Sequence, residues 1–481
     1  MKYESILRAI QALAFPGCMT SALAQDVSTP DPGLNAAIRD ALQKPSGLLT
    51  EQDLLSLTNL DATLRNIRDV EGLQAARNLS TLFLNQNLLT SFSLPSTLTN
   101  LTSLDLSLNG LTNISLPSGL RNLTNLTIQG NNQLTGLNLR EGLTALDKLN
   151  LHLNLLTSIT LSADMMSLTS LDLSENQLGS VNLPTGMTNL ANLSLKQNHL
   201  DSLTLPSDLT KLAVLDLFGN QLTNVTMPGS LTALTELDLA INQLTSFSLP
   251  GGLTNLTSLD LFENALTNVT LPFGLSALTN LNLAVNQLTS FIMPPDVTNL
   301  TTLLLFFNRQ LTNVSLTADM RKLDTLDLSG NQLKSFELPS GLIALAFLNL
   351  RDNQLTSLTL PPDLQQLSGL FVDGNPLTTL VLSEPLAATN LATIVATLRQ
   401  QAVSVFTYPL AVQLISPRLN EGGEFEFTLT GPPGVYTIFD SIDLTTWNHL
   451  GTTTNILGST TFTDEMAPLS AQKFYRATAL P

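Results

Sequence analysis

Cysteine is nearly missing from the chain: among 481 residues there is one, Cys18. A disulfide framework and a cysteine-ligated zinc site are thereby excluded. Charged residues are sparse, at 12%, and their balance is acidic, with a net charge of −17. Such a chain repels a phosphate backbone, so nucleic acid is not expected as a partner. No apolar run approaches the ~18 residues of a membrane-crossing helix, so no transmembrane segment is expected. Aromatics are only 5% of residues, and Trp447 is the single tryptophan. The three histidines, His152, His199 and His449, share no motif, and HExxH, CxxC, GxSxG and P-loop patterns are all missing. No nucleophile, base and orienting group fall together, so the chain is not expected to be an enzyme, and neither a cofactor nor a metal is expected.

What the sequence has is leucine in a fixed pattern. From Leu79 the motif LxxLxLxxNxL recurs, with its asparagine at Asn87, Asn109, Asn131, Asn154, Asn176, Asn198, Asn220, Asn242, Asn264, Asn286, Asn308, Asn331, Asn353 and Asn375. Eleven of the thirteen intervals are 22 residues and two are 23. Both extra residues enter just after the asparagine, at Asn132-Gln133 and Arg309-Gln310, where a loop absorbs one residue without shifting strand register.

Each position has a physical reading. In Leu101-Thr102-Ser103-Leu104-Asp105-Leu106 the period is two, so Leu104 and Leu106 point inward while Ser103 and Asp105 face out. The asparagine that follows is expected to turn inward and satisfy backbone groups of its own and neighbouring coils. A second period-two stretch follows, as in Leu244-Thr245-Ser246-Phe247-Ser248-Leu249-Pro250, and proline closes it at ten positions from Pro95 to Pro361. Proline disfavours helix in the residue before it, so this half of each repeat should be extended.

The pattern resembles the leucine-rich-repeat family, specifically its bacterial 22-residue kinds, over roughly Leu57 to Leu382. The plant-type LxGxIP half is absent. The resemblance implies an α/β repeat solenoid. Its parts would be a leucine-rich-repeat arc with a parallel concave sheet, a mostly extended convex side, helical caps and a C-terminal all-β sandwich. A 44-residue period lies inside the array: residues 212–255 and 256–299 share 28 of 44 positions, as expected if pairs of coils were duplicated.

Five segments follow. Residues 1–24 read as a signal peptide, with Lys2 and Arg8, an apolar stretch, and Ala22-Leu23-Ala24 before Gln25; a lipoprotein anchored through Cys18 is the alternative. Residues 25–56 form a helical cap, with Asp31 and Pro32 starting one helix and Thr50 to Asp53 a second, similar to the caps of internalin-like proteins. Residues 57–382 hold one degenerate repeat, with Arg65 in place of asparagine, and fourteen regular ones. Residues 383–411 supply a cap helix from Asn390 to Gln401 and a strand near Val403 to Phe406. Residues 412–481 read as a β-sandwich with Trp447 as its core anchor. Its Asp443-Leu444-Thr445-Thr446-Trp447 and Phe474-Tyr475-Arg476 are similar to C-terminal modules of secreted bacterial proteins.

Two groups of outward-facing residues are candidates for ligand binding. Asp216, Asp238 and Asp260 occupy the position between the two strand leucines in adjacent strands. They could receive a cation or a partner's Lys or Arg, or merely keep the sheet soluble. Phe218, Phe262, Phe306, Phe307 and Phe347, extended by Leu304 and Phe371, would form an apolar patch of the kind that marks an interface; duplication alone accounts for Phe218, Phe262 and Phe306. The expected function is a secreted or cell-surface binding scaffold whose concave face takes a protein or peptide. A structural stalk or adhesin, or a surface-glycan binder, are the alternatives.

Overall fold

The computed structural model describes residues 26–139, 141–467 and 472–480. The expected leader, with Ala22-Leu23-Ala24 and Cys18, lies outside the described residues. The chain divides into two compact units, up to Leu168 and from Thr169.

The first unit opens with a helix, Pro32–Leu42, whose N-terminus is capped by Asp31 Oδ1 accepting from the Leu34 amide at 2.9 Å. The other carboxylate oxygen accepts from the Arg68 amide at 2.7 Å, which fastens the cap to the first coils. A second helix, Glu51–Leu55, begins with a reciprocal capping box between Thr50 and Asp53. Five three-residue strands follow in parallel register, from Asn59–Asp61 through Thr81–Phe83, Ser103–Asp105 and Asn125–Thr127 to Lys148–Asn150. The middle residue of each is a buried leucine, and the flanking residues face outward.

The second unit repeats this arrangement with ten strands, from Ser170–Asp172 to Gly369–Phe371. In both units the opposite side of most coils carries short parallel pairs, such as Ser202–Thr204 with Asn224–Thr226. There one apolar residue points in between exposed Ser, Asn or Thr. Among the described residues from Leu57 to Leu382 there is no α-helix, in keeping with the proline that closes ten of these segments.

The array ends in helices Glu384–Ala388 and Ala392–Gln400 and a strand, Ser404–Tyr408, that joins the second-side sheet of the last coils. The buried Tyr408 hydroxyl donates to the Leu360 carbonyl at 2.7 Å. Two three-stranded antiparallel sheets follow. One is Gln413–Leu419, Phe425–Thr430 and Ser459–Asp464; the other is Asn448–Asn455, Gly434–Ser441 and Phe474–Ala479. They share a core of Phe427, Leu429, Tyr436 and Ile438. Trp447 is not in that core, which corrects the expectation from sequence: it is half-buried beside the strand Asn448–Asn455, with the Arg476 guanidinium 4.4 Å from its ring. Alternation had already supplied enough inward aromatics, Phe427 and Tyr436 among them. The sheets are also joined by charge, since Lys473 pairs with Asp464 of one sheet at 2.9 Å and Asp440 of the other at 3.0 Å.

Candidate functional site

The sheet's solvent face is set by a turn that follows ten of its fifteen strands. The third strand residue, when Asp or Asn, accepts from the amide two residues on. Asp216 Oδ1 takes Phe218 N at 3.1 Å, Asp238 takes Ala240 N at 2.9 Å, Asp260 takes Phe262 N at 2.8 Å, and Asn282 takes Ala284 N at 3.2 Å. Only a short side chain with an acceptor can close this loop. The residue before the repeat asparagine is then left-handed in all fourteen regular coils, with φ between 51° and 73°. It is glycine at Gly130, Gly219, Gly330 and Gly374, but Ile241 and Val285 adopt the same backbone at φ 54°.

At that left-handed step the asparagine turns inward. Asn242 Nδ2 donates to Leu217 O and Leu239 O, both at 3.0 Å, and its Oδ1 accepts from Leu222 N at 3.0 Å. Asn87, Asn154, Asn198, Asn220, Asn286, Asn308 and Asn353 repeat the pattern and are buried. Asn131, Asn176 and Asn331 are buried as well, whereas Asn109, Asn264 and Asn375 are half-buried with the same donors engaged.

The three aspartates stand in register on adjacent strands, Asp216 opposite Asp238 and Asp238 opposite Asp260. Burial pushes the Asp238 carboxyl up to about 6, helped by the carboxylates of Asp260 and Asp216 on either side. Burial raises Asp216 and Asp260 as well. Asp260 Oδ2 takes a hydrogen bond from Asn282 Nδ2 at 3.2 Å. The column therefore has a backbone task in each coil. Among the described residues no group of three or more His, Cys, Asp or Glu is placed to hold a metal ion.

The phenylalanines divide into separate groups. Phe262 and Phe306 lie 6.3 Å apart between ring centroids, and Phe307 meets Phe306 edge-on at 5.8 Å. Phe307 sits at the left-handed position and is 48% exposed. Its ring lies against Gly330 of the next coil, where a Cβ would fall 2.3 Å from Phe307 Cδ1. Phe347 is two strands further along, at the first position of its strand, and its ring neighbour is Phe371 at 5.0 Å. The Arg351 guanidinium covers Phe371 at 4.5 Å. Phe218 instead has the Lys196 ammonium 5.6 Å from its ring, and Leu304 takes the acidic column's place in its strand. Sequence reasoning missed the left-handed column and the amide-capping role of the aspartates; the four recurring glycines were the available signal.

Comparisons with known proteins agree with this geometry. The BspA type leucine rich repeat region matches residues 79–171 and 282–390, and leucine rich repeats also match 210–251 and 167–190. No curated protein matches the chain. Among solved structures, an internalin (inlF) of Listeria monocytogenes is 25% identical with a TM-score of 0.51, covering 78% of this chain and 97% of that one. YopM of Yersinia enterocolitica is 26% identical at 0.52, covering 72% and 73%. A chain of the Toll–Spatzle complex of Drosophila is 26% identical at 0.52, covering 70% of this chain and 48% of that one. The repeated parallel strand, the inward asparagine and these likenesses together make the fold of this chain a leucine-rich-repeat solenoid.

Proposed function

We propose that the chain is a secreted or cell-surface scaffold that binds a protein or peptide on the solvent face of its parallel sheet. The observation that carries this reading is the run of neighbouring rings Phe262, Phe306 and Phe307 on the solvent side of the sheet. Aromatic clusters of this kind anchor interfaces, because a rigid ring loses little entropy when covered. The register column Asp216, Asp238 and Asp260 beside it would steer a basic partner. The Toll–Spatzle complex, whose fold is shared, supports the use of such a solenoid in a protein complex. Lys2, Arg8 and Ala22-Leu23-Ala24 support export, and among the described residues no helix is long and apolar enough to cross a membrane.

The test is capture from culture medium and cell-surface extracts on the immobilised full chain and two variants. A partner held by the parent and by Phe273→Ala, but lost by Phe306→Ala, fits the proposal. Phe273 is a suitable control, since it is 76% exposed and lies beside the second-side strands. Equal capture by all three would remove the aromatic face as the site and favour a stalk or adhesin.

A further inference from the structure

One cavity on the loop edge of the sheet is built by departures from the repeat. It has a volume of roughly 440 Å³ and is lined by Asn264, Val285, Gln287, Phe307, Arg309 and Gln310, a size suited to a small group. Two departures from the repeat stand at or beside it. Arg309 is the residue added in the second 23-residue coil, and the Leu311 amide closes a tight turn back to Asn308 O at 2.8 Å. Ala265 stands where Gln243 and Gln287 stand in the flanking coils, with the same backbone bond to the preceding coil, so that coil has no long amide there.

The lining has a distinct chemistry. Phe307 and Val285 are held in the left-handed backbone by the repeat itself, so both apolar walls are fixed in place. Arg309 is the one charged residue of this lining. Among the described residues its guanidinium forms no ion pair. The other 23-residue coil serves as an internal comparison: it has Gly130 in place of Phe307 and Asn132-Gln133 in place of Arg309-Gln310, and so neither the wall nor the cation.

We propose that this pocket takes a carboxylate carried next to a flat apolar group on a protein partner. A guanidinium free of other ion pairs can bind a carboxylate through two parallel hydrogen bonds. The ring of Phe307 and the Val285 side chain receive the apolar group, and the amides of Gln287 and Gln310 orient it. The inference rests on the protein-binding reading and adds to it the class of group that is recognised.

Ligand-observed NMR titration of the full chain with N-acetyl-phenylalanine and its primary amide tests the proposal. N-acetyl-aspartyl-phenylalaninamide separates a side-chain carboxylate from a terminal one. The parent should bind at least one of the two acids at least tenfold more tightly than the amide. Arg309→Gln should erase that preference. Ala265→Gln, which restores the residue of the flanking coils, should abolish binding of every probe. Equal affinity for acids and amide, or acid binding unchanged in either variant, would overturn the proposal. Partner capture by Phe306→Ala reads the aromatic face and the titration reads the pocket, so each can fail without the other.

Discussion

Asn242 reaches back one coil to Leu217, its Nδ2 donating to that carbonyl at 3.0 Å. The same amide group also satisfies Leu239 O, while Oδ1 takes Leu222 N. Three backbone groups at a bend without helix or ladder partners thus depend on one side chain. Asn242→Leu fits the volume but leaves them buried and unpaired, a cost of roughly 1–3 kcal/mol. A urea titration should show a lower midpoint than the parent; an unchanged midpoint would remove the asparagine from the stabilising set.

Ile241, immediately before it, is held at φ 54°. A β-branched residue in this conformation is strained by about 1–2 kcal/mol. Asparagine tolerates it, and Ile241 is already 37% exposed, so the strain relieved should exceed the burial lost. Ile241→Asn should therefore raise the urea midpoint, by about 0.5–1 kcal/mol, although it replaces an apolar residue with a polar one. Gly330→Ala should do the reverse, since it meets both the left-handed backbone and the Phe307 ring.

These two neighbours show what could be read from sequence and what could not. The strand leucines, the inward asparagines and the extended second side follow from periodicities of two and 22 that every coil repeats. The left-handed step does not, because Gln197, Ile241, Glu263 and Phe307 share no propensity for it; the ladder imposes it from outside the segment. The phenylalanines were legible as outward-facing but not as groups. Phe347 stands at the first position of its strand and Phe306 two residues past the end of its own, so neighbouring strands do not bring their rings together. The place of Trp447 is not legible either, because being the single tryptophan does not imply burial and the Arg476 guanidinium occupies its ring face.

The network around Lys473 should be a weak point of the C-terminal sheets. Asp464 is almost fully buried, and Tyr475 also donates to it at 2.9 Å. Lys473→Met leaves the Asp464 and Asp440 carboxylates without their cation, and breaking a buried pair this way costs about 3–5 kcal/mol. Limited proteolysis should cut the variant after residue 412 under conditions in which the parent is intact. Equal resistance would show that the pair is dispensable.

Asp238 makes the stability of the array depend on pH. Its carboxyl titrates near 6 in the folded chain, against 3.8 for the free group. The folded state therefore holds the extra proton in that window, and this contribution to stability falls as pH rises from about 4 to about 6. Asp238→Asn keeps the acceptor for Ala240 N, as Asn282 does for Ala284 N. It should be more stable than the parent at pH 7.5, by ~1 kcal/mol after allowance for solvent screening. At pH 4 the two midpoints should converge. A constant difference across this range would mean that the carboxyl does not titrate there.

The aromatic run and the acidic column should contribute to binding in different ways. Phe306 has Phe262 and Phe307 as ring neighbours, and truncating an anchor of this kind typically costs about 2 kcal/mol or more. Most of that loss should appear as faster dissociation, because short-range contacts form after encounter. Asp238 lies in the column flanking the aromatic run, and its charge acts at longer range, over about 10 Å at 0.1 M salt. Phe306→Ala should therefore raise the off-rate of the captured partner at any ionic strength. Asp238→Asn should slow association with a basic partner at low salt and change little at high salt. Surface plasmon resonance at two salt concentrations separates the two effects. If both variants bind like the parent, the partner sits elsewhere, and the second-side strands or the C-terminal sheets become the next surfaces to test.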